Sequence, residues 1–139
     1  MNYSKVKGFS LVETLIIVGL FFSLTAVGVA LYNNERAQVR DAHRIADMIR
    51  VAAAFEILYN ETNSFVEAAL GCGQTGVEVS TCNINTYIDD IKNVIDPGKN
   101  NYTVTKVPDD KSFEVTFTLE SSYSNLSAGN HTVSEFGIK

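Results

Sequence analysis

Between Thr14 and Leu31 the chain carries no charged side chain. As a helix these eighteen residues rise roughly 27 Å, close to the ~30 Å hydrocarbon core of a bilayer. The run therefore reads as a membrane span rather than a buried core helix. Two plainer readings compete with it. A secretory signal has a shorter apolar region and an A-x-A-like cleavage site, and here only Gly28-Val29-Ala30 is similar. A simple single-span anchor explains the hydrophobicity but leaves the acid at the start of the run, Glu13, without a role.

The flank sets the direction. Lys5 and Lys7 are the only charges before Glu13, which favours a cytoplasmic amino terminus and an exported remainder. An ionised side chain at the centre of a membrane helix costs about 2.5–3.5 kcal/mol on insertion scales, and less near the interface. Glu13 therefore needs a cation. Cleavage between Gly8 and Phe9 would create one, because a free α-amine has a pKa of roughly 7.7–8 and is largely protonated at neutral pH. That amine would lie four residues before Glu13.

The string Lys7-Gly8-Phe9-Ser10-Leu11-Val12-Glu13 ahead of a long apolar run resembles the class III signal of type IV pilins and of the pseudopilins of type II secretion. The resemblance implies a leader, residues 1–8, that a membrane prepilin peptidase removes after Gly8. It implies that Phe9 becomes the N-methylated terminus, and that Glu13 pairs with a neighbouring subunit's amine during assembly. Many relatives carry a Gly midway along the run and a Pro near its end. Without gaps those positions are Phe22 and Ala30, with Gly19 and Gly28 nearby.

The chain has 139 residues and a formal net charge of −5. Loss of Lys5 and Lys7 would take that balance to about −7. Leader and span leave enough chain for one small domain. Basic residues cluster only along Arg36–Arg50, so composition carries no nucleic-acid signature but leaves local patches open. An exported head permits a disulfide between Cys72 and Cys82, the two cysteines. Two cysteines with no adjacent His do not make a structural zinc site.

After Leu31 the helical pattern continues past Asn33-Asn34. Ala42, Ile45, Ala46, Ile49, Ala52 and Ala53 fall at three- and four-residue spacings on one stripe. Met48, Phe55, Leu58 and Tyr59 widen that stripe. Arg36, Arg40, Asp41, Arg44, Asp47 and Arg50 read as solvated opposite faces. A break at 60–64 ends the helix near Asn60. Residues 65–85 read as a glycine-containing connector. Thr86–Ile95 reads as a short helix with a loose Thr86/Asp89 capping box, stopped by Asp96-Pro97-Gly98. The order Tyr87-Ile88, Ile95-Asp96-Pro97, Tyr102 again resembles pilins and pseudopilins. Strands are expected over 102–107, over 113–119, where Phe113, Val115, Phe117 and Leu119 alternate with polar residues, and over 132–138.

No nucleophile or metal-ligand pattern surrounds His43 or His131, and both read as solvated. Asp109-Asp110 reads as a turn rather than a calcium site, since calcium takes six to eight oxygens. Asn60, Asn101, Asn125 and Asn130 begin glycosylation sequons, a short pattern that arises readily by chance.

These readings give an α+β class. A long amino-terminal α-helix, membrane-spanning in its first half, packs on a small antiparallel sheet, which the resemblance makes a pilin fold. The organisation expected is leader 1–8, transmembrane and polymerisation helix 9–31, extramembrane helix 32–60 and α+β head 61–139. No enzyme activity, cofactor or metal is expected. The expected partners are other copies of the chain, the prepilin peptidase, the inner-membrane assembly platform and the membrane itself. The chain would sit in the inner membrane before joining an extracellular filament. The resemblance thus implies a structural subunit, the major pilin, of a type IV pilus filament; the alternatives are a pseudopilin of a type II secretion or DNA-uptake machine, and a monomeric membrane-anchored binding module.

Overall fold

Helix α1 runs from Leu11 to Thr62. The structure is a computed structural model that describes residues 10–139. The chain divides into two units that part between Arg36 and Ala37, and α1 contributes residues to both.

In the first unit every described residue, Ser10 to Arg36, is exposed. The eighteen-residue window of α1 that qualifies as a membrane span has a mean hydropathy of 2.4, and none of it is buried. The hydroxyls of Thr14, Ser23 and Thr25 bond to carbonyls of their own helix. The Ser23 hydroxyl donates to the Leu20 carbonyl at 2.9 Å and that of Thr25 to Phe21 at 2.7 Å. A polar side chain in an apolar span has no water to turn to and needs such a partner. Asn33-Asn34 do not interrupt the helix. One turn apart around them, the Arg36 guanidinium lies 4.3 Å from the Tyr32 ring centroid, a cation–π contact.

In the second unit α1 packs on a four-stranded antiparallel sheet: β1 (Thr103–Lys106), β2 (Glu114–Leu119), β3 (Gly129–Ser134) and β4 (Gly137–Ile138), in that spatial order. β2 behaves as its alternation dictates, with Val115, Phe117 and Leu119 buried and Glu114, Thr116 and Thr118 at the margin. Phe113, just before it, stacks on Phe55 of α1 with centroids 4.0 Å apart. The edge of β1 is covered rather than open. Val104 donates to Val77, while Gly76 donates to Val104 and Val79 to Tyr102, all at 2.8–2.9 Å. An unpaired edge would be a template for aggregation.

Three expectations need correction. First, the buried face of α1 is shifted from the Ala42/Ile45/Ala46/Ile49/Ala52/Ala53 stripe: only Ile45 and Ala52 of it pack against the core, although Met48, Phe55 and Leu58, expected to widen it, are buried. The residues facing the core are Asp41, Arg44, Asp47, Met48, Val51, Ala54, Phe55 and Leu58, while Ala46, Ile49 and Ala53 are exposed. Going from 42, 45, 49 and 52 to 41, 44, 48 and 51 is a one-residue step, about 100° around the helix. Asp41, Arg44 and Asp47 are therefore not on a solvated face. Second, Thr86–Ile95 is not an α-helix. It holds one 3₁₀ turn, Ile91–Asn93, preceded by Asp90 in the left-handed region at φ 62°. Ile, Val, Asn, Asp and Thr are weak helix formers, and the Asp90 side chain takes the Asn93 amide as a local partner. Burial of Ile84, Ile88, Ile91 and Val94 holds this segment to the core instead. Third, residues 132–138 form a hairpin rather than one strand, reversing at Glu135-Phe136 before Gly137 at φ 91°.

Candidate functional site

Glu13 lies in the first turn of α1 and is exposed. An acid there complements the partial positive charge of a helix amino terminus. Gly8 and Phe9, the expected cleavage and methylation positions, lie outside the described residues.

The densest polar chemistry is in the second unit, around Arg44. This side chain is fully buried and makes a two-pronged contact with Asp96, Nε to Oδ2 at 2.6 Å and Nη2 to Oδ1 at 2.9 Å. Its Nη1 reaches Asp41 at 2.7 Å and Glu120 at 2.8 Å. Arg40 closes a second fork on Glu120. Asp41 in turn accepts the Glu120 and Ser121 backbone N–H groups at 2.9 and 2.7 Å and the Ser121 hydroxyl at 2.6 Å. Asp96 Oδ1 also accepts the Gly98 N–H at 2.7 Å. A Cβ at Gly98 would lie 2.7 Å from Arg44 Nη2, so the tight approach requires glycine.

The electrostatics follow from these contacts. The hydrogen bond to Asp96 raises the Arg44 pKa further above its already high value, against the opposing effect of burial. Burial alone would push the Asp41 carboxyl up, but hydrogen bonds from Ser121, Glu120 and Arg44 outweigh it and hold the carboxyl below its usual range. The hydrogen bond from Arg40, helped by Arg44, brings Glu120 down to about 2. Every charge is thus matched, and no buried side-chain nitrogen or oxygen among the described residues lacks a partner. The cluster ties the Asp96–Gly98 loop and the end of β2 to one turn of α1.

Beside it, the buried Tyr102 hydroxyl donates to Asp47 Oδ2 at 3.1 Å. Burial first, and the Asp47 charge second, push the Tyr102 phenol far above its ordinary value. His43 Nδ1 also sits 3.1 Å from Asp47, with the ring largely exposed. His131 is half-buried rather than solvated, its ring nitrogens 3.1 Å from the Lys139 carbonyl and 2.7 Å from that of Ser127.

Cys72 and Cys82 are bonded to each other and both are buried. The bridge spans a sequence separation of ten, worth about 2–3 kcal/mol in the loop-entropy account. Asp109 is occupied by its own turn, accepting the Lys111 and Ser112 N–H groups at 2.8 Å, and those bonds lower its pKa. Asp110 takes the Ser64 hydroxyl. Among the described residues no three His, Cys, Asp or Glu side chains converge as a metal site. The four sequon asparagines are exposed.

No protein-family profile, curated protein or solved structure matches the chain. The Arg44 cluster is a clamp: its two guanidiniums and three carboxylates are all paired with one another. The apolar half of α1 is the opposite case, a surface left exposed among the described residues.

Proposed function

We propose that this chain is a structural subunit of a type IV pilus filament. It is cut between Gly8 and Phe9 and polymerises through the apolar part of α1. The observation that supports this reading most is the exposure of every residue from Leu11 to Leu31. A helix surface that is apolar all round must be covered by lipid or by other chains. A carboxylate at its start adds direction, because packing Glu13 against neighbouring stems without a cation would be costly. An α-amine on Phe9 would supply that cation on the same or an adjacent copy. The α+β arrangement, with the carboxyl-terminal half of α1 against a four-stranded antiparallel sheet, agrees with a pilin-type head.

Intact-mass measurement on membranes and sheared surface material from the native host tests this. The expected result is a species lacking residues 1–8 and carrying one methyl group, present in fibres. Gly8→Ala should accumulate as the uncut precursor. An uncut, monomeric wild-type protein would leave only a tethered head.

A further inference from the structure

The second unit holds a cleft of about 420 Å³. Its floor is aromatic. Phe65 and Phe113 meet edge-to-face with centroids 5.1 Å apart, and Tyr59 stacks on Phe65 at 4.8 Å. Its rim carries Glu56 from α1, Glu135 from the β3–β4 turn and Lys111 from the turn before β2. The three rim charges are exposed. Among the described residues none of them lies within 4.0 Å of an opposite charge, whereas Arg40, Arg44, Asp41, Asp96 and Glu120 are all matched. The Glu135 carboxylate leans inward, its Oε2 3.5 Å from the Phe113 nitrogen.

We propose that this cleft is a binding site for a small organic cation of the guanidinium or alkylammonium type. Three features select that chemistry. The two Phe rings are buried and cover each other, but the half-exposed Tyr59 ring can attract a cation through its quadrupole, and the apolar lining accepts the stem that carries it. Two carboxylates face one ammonium, so the rim is left with a net negative charge. The volume falls in the range of small-molecule sites, roughly 300–1,000 Å³. An anionic ligand would have Lys111 alone to pair with and two carboxylates against it. The inference stands on the cleft of a single chain and does not rest on the proposed function.

Nuclear magnetic resonance on the full chain in detergent micelles tests it, with arginine amide as the probe and citrulline amide as its uncharged isostere. Arginine amide should shift the Phe113 and Gly137 amides saturably, and citrulline amide should not. Glu56→Gln with Glu135→Gln should weaken binding about tenfold, and Lys111→Gln should strengthen it. All three side chains are exposed, so each variant should keep the wild-type unfolding curve. No saturable shift, an equal response to citrulline amide, an unaffected double variant or weaker binding by Lys111→Gln would each overturn the proposal.

Discussion

Arg44 shows how one side chain can decide the packing of a whole turn. Removing it leaves Asp41 and Asp96 buried without their cation. Breaking a buried pair from one side costs about 3–5 kcal/mol, so Arg44→Ala should lower the stability of the second unit by that amount in urea unfolding. Replacing the pair with well-packed apolar residues is a different experiment and need not be destabilising. The pH dependence follows from the acids. Glu120 is held at about 2 in the fold, against an ordinary glutamate value of roughly 4.3, and the Asp41 carboxyl is also lowered. A depressed folded pKa contributes stability that is present above the unfolded pKa and is lost as pH falls towards the folded one. The urea midpoint should therefore hold from neutral pH down to about 5, then fall between about 4.3 and 2. Glu120→Gln should flatten part of that fall, and a midpoint with the same pH profile as wild type would contradict the assignment.

At the scale of elements, α1 is where residue pattern and packing part company. Its carboxyl-terminal half has apolar residues over more than one face, so periodicity alone admits several rotations. The charged residues do not mark the solvent face. Asp41, Arg44 and Asp47 look solvated until their partners are known, and those partners lie in loops far along the chain. Truncation checks the observed rotation, in which Leu58 stays in the core and Ile49 leaves it. Leu58→Ala, at a fully buried position, should cost about 2–5 kcal/mol. Ile49→Ala, at an exposed one, should stay within about 0.5 kcal/mol of wild type in the same urea titration. The strands were easier to read. β2 alternates strictly because one face is buried, and that period of two survives without knowledge of its neighbours. The β3–β4 reversal was marked only by Gly137. The segment after Thr86 has a helix-like apolar spacing, but Asp90 and Asn93 satisfy each other locally and the chain turns instead.

For the whole molecule, the question is what covers the apolar half of α1. Lipid alone would serve a tethered monomer, and stems of other copies would serve a filament. Glu13 separates these outcomes. Glu13→Val should leave insertion into the membrane intact, as read by membrane fractionation, and should sharply reduce sheared fibres. Wild-type fibre yield from that variant would remove the role assigned to the carboxylate.

The sequence by itself determined the apolar run, the need for something to cover it, and the alternating strand before Glu120. Each of these depends on residues close together in the chain. Only the tertiary structure decided which face of α1 is buried. Arg44 can enter the core because Asp96, 52 residues away, meets it there, as Glu120 meets Arg40 across 80 residues. The cost of burying a charge is set by its partners, and no local pattern names them. The cation cleft has the same origin, since helix, loop and hairpin must come together before Glu56, Lys111 and Glu135 share one rim.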